Sequence, residues 1–388
     1  MTDLFFPERP IPRRTFVKRM LAGLGGMAVA GCDGLSGSET GASSSAGDAQ
    51  GDFAPALSSI AGNMKSGELR PVSTTWPGDR GPRFDDFFSV DGNWRSEPNG
   101  WSERLLYDPL RKKAHFLGCR WRDWTLFSID LRTLQWTRVG HPDTDIGLQT
   151  TAEEYRPFNR PYLALDHIWV MPENERGAYN PRWLHRMPLA GPYRFKRFGA
   201  AYPSNQPPTP DWGATYVPGL GHVRSEIAGD YGGQLRVLRD GSSQWEHLAS
   251  TRSHGRSNTV YWNPVRREAI AWGGANPGNN YGTRREVARV LPTGEVRDIG
   301  PTNVDYHGSV SFLTHDPISG DYLLWRPEPN LLWRSEDAVA WHVERDWSAS
   351  VPFGAQEQRQ SWTAVPELGI ILLVDYRKGL YVYRPLAV

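Results

Sequence analysis

From Leu105 onward the chain alternates short apolar runs with turn residues. The runs are too short for helices, and their β-branched and aromatic residues suit a pleated, half-buried surface. Six of them stop at a proline: Leu105-Leu106-Tyr107-Asp108-Pro109, Ile168-Trp169-Val170-Met171-Pro172, Ala214-Thr215-Tyr216-Val217-Pro218, Val260-Tyr261-Trp262-Asn263-Pro264, Phe312-Leu313-Thr314-His315-Asp316-Pro317 and Trp362-Thr363-Ala364-Val365-Pro366. A second apolar run follows each proline, which predicts a hairpin turning there. The first unit predicts four strands: Glu103 to Tyr107, Ala114 to Leu117, Thr125 to Ile129, and Trp136 to Val139.

The six prolines lie 63, 46, 46, 53 and 49 residues apart. That spacing is close to the period of four-stranded propeller blades. The expected fold is therefore all-β: a six-bladed β-propeller, or a seven-bladed one if the 63-residue interval or the stretch from Pro77 to Asn99 holds further strands. The last unit predicts only three strands, Ser361 to Val365, Gly369 to Val374 and Leu380 to Tyr383. The segment Gly67-Glu68-Leu69-Arg70-Pro71-Val72 has the pattern of an earlier fourth strand, Gly294-Glu295-Val296-Arg297-Asp298-Ile299. It is expected to supply the missing outer strand and close the ring, and Pro71 is tolerated because an outer strand is an edge.

Composition agrees with this fold and narrows the function. Among 388 residues there are 40 Gly, 31 Pro, 17 Trp, 15 Tyr and 14 Phe, a mixture that favours strands and turns over a helical bundle. A formal charge of +1 argues against polycation-style binding of nucleic acid. The run Ala269-Ile270-Ala271-Trp272-Gly273-Gly274, with its diglycine and spaced aromatics, resembles a degenerate kelch repeat over about residues 65 to 388. That resemblance implies a propeller and says little about activity.

The N-terminus reads as an address. Arg13-Arg14-Thr15-Phe16-Val17-Lys18 resembles a twin-arginine export motif, and a short apolar stretch follows from Met20 to Gly31. Val29-Ala30-Gly31-Cys32 resembles a lipobox, which implies cleavage before Cys32 and acylation of its thiol. The expected organisation is a signal peptide over 1–31, a lipidated Cys32 with a flexible Ser/Gly/Ala linker over 32–62, and the propeller over 63–388. Cleavage removes five basic and two acidic residues, leaving 39 against 41, a balance of −2. With Cys32 acylated, Cys119 has no disulfide partner. The expected product is an exported monomer, held in the cell envelope by its lipid.

In a propeller, the loops entering the innermost strands form the mouth of the central channel. Ten residues before the repeat prolines stand Asn99, Tyr162, Pro208, His254, His307 and Gln356. Ser253-His254-Gly255 and Tyr306-His307-Gly308 have similar local texts in successive units. Around them are Arg256, Asn258, Arg359 and Gln360; His167 enters the second unit, and His222 lies with Arg224 and Glu226. Histidine, tyrosine and arginine suit β-elimination of a uronate polysaccharide, as in the propeller lyases whose residue inventory this resembles. His254 or His307 would be the base, Tyr306 the acid, and Arg256 or Arg359 the carboxylate clamp, with His167 a further catalytic candidate. Tyr162, Asn258, Gln360, Trp94 and Trp212 would bind the sugar, the aromatics by stacking. Tyr306-His307 also resembles ligands of the galactose oxidase family. That family needs a cross-linked cysteine, and Cys119 follows a second strand, which speaks against copper; no tight ligand spacing supports zinc, and no cofactor is expected. The competing expectation is a non-catalytic binding or scaffold protein. Trp136, Trp245 and Trp341 fall in outer-strand positions and are expected to be structural.

Overall fold

The computed structural model describes residues 53–77, 105–117, 126–140, 143–144, 161–170, 184–199, 213–228, 232–253, 258–273, 285–306, 312–326, 330–348, 360–375 and 378–387. A helix, α1 (Pro55–Asn63), and a strand, β1 (Leu69–Val72), come first. Blade 1 holds β2 (Leu105–Asp108), β3 (Lys113–Leu117), β4 (Leu126–Asp130) and β5 (Gln135–Gly140). Blade 2 holds β6 (Asp143–Thr144), β7 (Tyr162–Ala164), β8 (His167–Val170), β9 (Leu184–Pro188) and β10 (Arg194–Phe198). Blade 3 holds β11 (Ala214–Val217), β12 (Gly221–Ala228), β13 (Gly232–Leu238) and β14 (Glu246–Thr251). Blade 4 holds β15 (Thr259–Asn263), β16 (Glu268–Trp272), β17 (Glu286–Val290) and β18 (Val296–Pro301). Blade 5 holds β19 (Phe312–His315), β20 (Tyr322–Arg326), β21 (Leu331–Ser335) and β22 (His342–Asp346). Blade 6 holds β23 (Gln360–Val365), β24 (Ile370–Asp375), β25 (Gly379–Tyr383) and, returning from the N-terminal side, β1.

The first strands β2, β7, β11, β15, β19 and β23 lie side by side in that order, and β23 returns to β2. Six antiparallel blades around one axis make this a six-bladed β-propeller. The 63-residue interval adds no blade among the described residues. It contributes β6, which pairs parallel with β10 as a fifth strand of blade 2.

Burial follows from the ring. Second strands are covered by a neighbouring blade on each face, so β16 and β24 are buried along their whole length. Outer strands such as β18 face water on one side. Between blades the large aromatics fill the wedge-shaped gaps. Trp272 stacks on Trp341 at 5.1 Å, and Trp325, Trp362 and Tyr383 form the seam of blades 5 and 6. Trp136, Trp245 and Trp341 are all buried.

The repeat prolines have a physical counterpart in the turns. Asp108, Asn263 and Asp316 each accept the backbone N–H two residues on, from Leu110 at 3.0 Å, Val265 at 3.2 Å and Ile318 at 2.8 Å. Blade 2 departs from this pattern. A two-residue turn, Leu165-Asp166, joins β7 to β8 with both residues at positive φ. Ile168 to Val170 is therefore the second strand of its blade, and Pro172 does not mark the first hairpin.

These hairpin turns gather at one end of the axis. Asn263 Nδ2 donates to Gly320 O at 2.7 Å across blades 4 and 5, and Arg111 pairs with Asp166 across blades 1 and 2. The starts of the first strands gather at the other end, where Asn258 Oδ1 accepts from Gly213 N across blades 3 and 4. A side chain at Gly213 would put its Cβ 2.2 Å from Val260 N, so this close approach requires glycine.

Closure is as the chain pattern predicts. β1 pairs antiparallel with β25, from Leu69 opposite Tyr383 to Val72 opposite Leu380. Gly67 N donates to Arg384 O, which ties the two segments beyond the paired strands. From residue 55 the segment 32–62 expected as linker is the helix α1. Phe53, Leu57 and Ala61 are buried against blades 1 and 6, Pro55 opens the helix, and Ala54 N donates to Leu131 O. Leu57 and Ala61 lie one turn apart on α1, and Phe53 just ahead of the helix is buried with them.

Candidate functional site

The first strands enclose a cavity of about 480 Å³ on the axis, with every blade contributing to its wall. The wall is mainly aromatic and aliphatic, with Tyr107, Tyr162, Tyr216, Tyr261, Trp262 and Trp362 on it. Among the described residues its ionisable members besides tyrosine are His315 and Glu367, and no lysine or arginine lines it. Such a wall favours stacking and neutral hydrogen bonding over carboxylate capture.

Three tyrosine hydroxyls of the wall are committed to partners across blade seams, while Tyr216 OH donates to Asp240 within blade 3. Tyr162 OH lies 2.9 Å from His222 Nδ1. Trp169, Phe198 and Tyr216 close around the same imidazole, with the Trp169 ring 4.1 Å away. Burial, with a smaller contribution from the Arg186 charge, pushes His222 down to about 3. It is neutral at pH 7. Burial also raises the Tyr162 phenol. Tyr261 OH lies 2.7 Å from His315 Nδ1, and burial brings His315 down to about 4. Tyr107 OH donates to Glu367 Oε1 at 2.9 Å, and Lys112 Nζ reaches the same oxygen at 2.8 Å. Burial and the Glu367 charge both raise the Tyr107 phenol.

A polar row also crosses blade 1. His115 Nδ1 lies 2.8 Å from Ser128 Oγ, and His115 Nε2 lies 3.8 Å from Asp108 Oδ2. Burial works against ionisation of Asp108, but bonds from His115 and Arg111 outweigh it and hold the carboxyl at about 2. The three side chains are buried on β2, β3 and β4 of blade 1 and serve there as internal partners.

The residues singled out from the sequence fall into three groups. His254, His307, Arg256, Arg359, Trp94, Trp212 and Cys32 lie outside the described residues. Gln360 begins β23 opposite Asp375, and nothing is described of its side chain. The remaining four are placed. Tyr162 is on the cavity wall, bonded to His222. Asn258 is buried and spends its carbonyl on Gly213 N at 2.7 Å, which makes it a tie between blades. Tyr306 is fully buried against Trp272 at 5.0 Å, so its ring is core and meets no polymer in solution. His167 starts β8 at the hairpin end, with Nδ1 2.6 Å from Leu165 O, at the opposite end of the ring from Asn258. It does not join a site built on the strand starts.

Sequence reasoning missed His315, Glu367, Tyr107 and Tyr261 as cavity residues. The available signal was their position beside repeat prolines, since Thr314-His315-Asp316-Pro317 and Pro366-Glu367 abut the turns. Among the described residues no group of three or more His, Cys, Asp or Glu side chains is gathered to hold a metal ion.

No family model matches the chain, and no curated protein matches it. Similar solved structures include an auxiliary nutrient binding protein from Bacteroides thetaiotaomicron, at 10% identity and TM-score 0.49 over 83% of this chain and 78% of that one. A streptogramin B lyase is 13% identical with TM-score 0.42, covering 78% of this chain and 87% of its own. An oligogalacturonate lyase in complex with manganese is 13% identical with TM-score 0.41, covering 83% and 98%. These likenesses assign no activity to this chain.

Proposed function

We propose that this protein is exported by the twin-arginine route, is anchored in the cell envelope through lipid on Cys32, and engages a uronate-containing polysaccharide where the first strands begin, cleaving it by β-elimination. One observation carries the site. β15 and β19 are neighbours on the axis, and His254 and His307 each stand five residues ahead of them in the chain. Two imidazoles at equivalent positions before adjacent inner strands form a natural acid–base pair.

In this reading one histidine removes the proton on the carbon beside the carboxylate. The electron pair forms the C=C bond as the neighbouring C–O bond breaks, and the other histidine gives a proton to the leaving oxygen. Arg256 or Arg359 neutralises the carboxylate, so that negative charge builds against a cation. The acid role passes from Tyr306 to a histidine because Tyr306 is enclosed in the core. Trp94 and Trp212 stack on flanking sugars, in a body of kelch-like type.

The test is incubation of the purified protein with a panel of uronate polysaccharides, following ultraviolet absorbance of the unsaturated product. Activity abolished in His254→Ala and His307→Ala supports elimination. Glycan binding with no absorbance on any substrate, unchanged in both variants, replaces it with the second reading, a non-catalytic glycan-binding or scaffold propeller. The aromatic wall of the cavity supports that second reading. Loss of lipid from a Cys32→Ser variant, read by intact mass, tests the anchor.

A further inference from the structure

Among the described residues five large apolar side chains are exposed to water, and four of them stand on turns that join a first strand to a second. They are Leu110 of blade 1 (81% exposed), Leu165 of blade 2, Val265 of blade 4 and Ile318 of blade 5 (71% exposed). The fifth, Val343, is on the outer strand β22. Single exposed apolar residues are ordinary, but four at corresponding places on one end of a ring are not scattered. The turns are also tied to one another. Arg111 pairs with Asp166 between blades 1 and 2, Arg266 with Asp321 between blades 4 and 5, and Lys112 with Glu367 between blades 1 and 6. Ile318 leans over Gly369 of blade 6, where an added Cβ would meet its Cδ1 at 3.1 Å. The apolar tips therefore share one rim, at the hairpin end of the axis.

We propose that this rim docks on a lipid bilayer, its four apolar tips entering the headgroup layer and its basic turn residues meeting lipid phosphates. The choice of a bilayer as the occupant rests on the reading of Cys32 as the lipid-bearing residue. The chain joins the body at this same end. Lys112 Nζ lies over the Phe53 ring, 5.2 Å from its centre. Ala54 N donates to Leu131 O, and Leu131 N donates to Lys112 O in the blade 1 turn. Residues 33–52, twenty in all, separate Cys32 from Phe53. Even fully extended, they would hold the rim within about 70 Å of a lipid on Cys32. A tether of that length makes the contact intramolecular, so a weak surface suffices. Charge agrees with this occupant. The turns over 109–112, 165–166, 218–220, 264–267, 317–320 and 366–369 hold four basic and two acidic residues, and Arg267 is exposed beside Val265. Four tips set among charged residues supply far less than the roughly 1,200 Å² that a stable protein interface buries, whereas lipid moulds itself around each tip singly. Docked in this way, the propeller turns its strand starts, and the polysaccharide site proposed there, toward water.

The test places the full chain in vesicles of phosphatidylethanolamine and phosphatidylglycerol with brominated acyl chains, which quench a fluorophore on contact. In a Cys119→Ser background a single label is attached at Ile318→Cys on the rim or at Val343→Cys on the outer strand. Quenching at 318 should exceed that at 343 by about twofold or more, because the tips reach the acyl boundary. Leu110→Asp/Leu165→Asp should bring 318 down to the level of 343. Both positions are exposed, so the melting temperature should hold; if that double variant unfolds, Val265→Asp takes its place. Equal quenching at the two labels overturns the proposal, and so does quenching at 318 that the substitutions leave unchanged. A dimer in light scattering, with 318 shielded but unquenched, gives the rim to a second copy and overturns it too. Intact mass at Cys32 is read separately. Lipid there without selective quenching keeps the anchor and removes the docking. No lipid there, with selective quenching once vesicles are added to the Cys32→Ser chain, keeps the docking and removes the anchor.

Discussion

Two seams of the ring bury polar groups by opposite means. At the closing side, Arg334 is buried with three carboxylates. It bonds Asp316 at 2.9 Å, Asp321 at 2.8 Å and Glu344, and reaches Leu386 O at 3.1 Å. Arg266 on blade 4 shares Asp321, and Tyr383 on blade 6 donates to Glu344, so one cluster clamps three blades and the C-terminal segment. At the seam of blades 2 and 3, His222 is buried as a neutral ring among Tyr162, Trp169, Phe198 and Tyr216. The first solution keeps full charges and balances them. The second removes the charge. An ion cluster tolerates a change of pH as long as its carboxylates stay ionised, whereas a neutral imidazole cage fails as soon as the ring must accept a proton.

Removing one partner from the ion cluster should have the largest effect. Arg334→Met leaves three carboxylates facing one another, and a loss of about 3–5 kcal/mol is expected from breaking a buried pair. Chemical denaturation checks it, and a loss below about 1 kcal/mol would mean that water replaces the guanidinium.

Acid should separate the two seams next. His222 and His315 are held down to about 3 and about 4, below the ordinary value near 6.5. The unfolded chain binds protons first. Their contribution is therefore full above about pH 6.5 and is lost as pH falls toward the folded values. Burial opposes ionisation of Asp321, but Arg334 and Arg266 win and keep its carboxyl below the ordinary range, so Asp321 holds its charge further into acid than a free carboxylate. Melting temperature should drop by several degrees between pH 7 and pH 4.5, and His222→Gln should flatten part of that slope. An unchanged slope would show that the cage does not set the acid response.

Asn258→Ala should have a smaller effect, about 1–3 kcal/mol, because it strands the buried Gly213 N–H. Denaturation and glycan binding measured together sharpen its assignment: stability falls while affinity holds if it is a tie between blades. The smallest change is expected at Arg239→Ala. Its pair with Glu246 is half exposed on both sides, so under about 1 kcal/mol is at stake.

Much of the fold was legible because blades are local objects. Each hairpin of blade 1 joins runs close in sequence, and β2 to β5 fall within a residue or two of the expected strands. The closing strand was legible because Leu69 to Val72 carries an outer-strand pattern without an outer strand beside it in the chain. Blade 2 was misphased because Leu165-Asp166 turns without proline, so a proline count slid by one strand. The site was less legible. Ten residues before a proline is a measure along the chain, and it gave the same weight to Tyr162 on the cavity wall, to the neighbours of Asn258, and to Tyr306 in the core. Burial of a polar side chain depends on which blade packs over it, and no local pattern records that.

Periodicity, turn residues and the unmatched N-terminal strand determined by themselves that this chain is a closed ring of six small sheets. They could do so because strand length, hairpin turns and alternation are set by neighbours within a few residues. Which side chains meet was decided only in three dimensions. Arg334 finds Asp316, Asp321 and Glu344, Tyr162 finds His222, and His315 finds Tyr261 because blades converge on an axis.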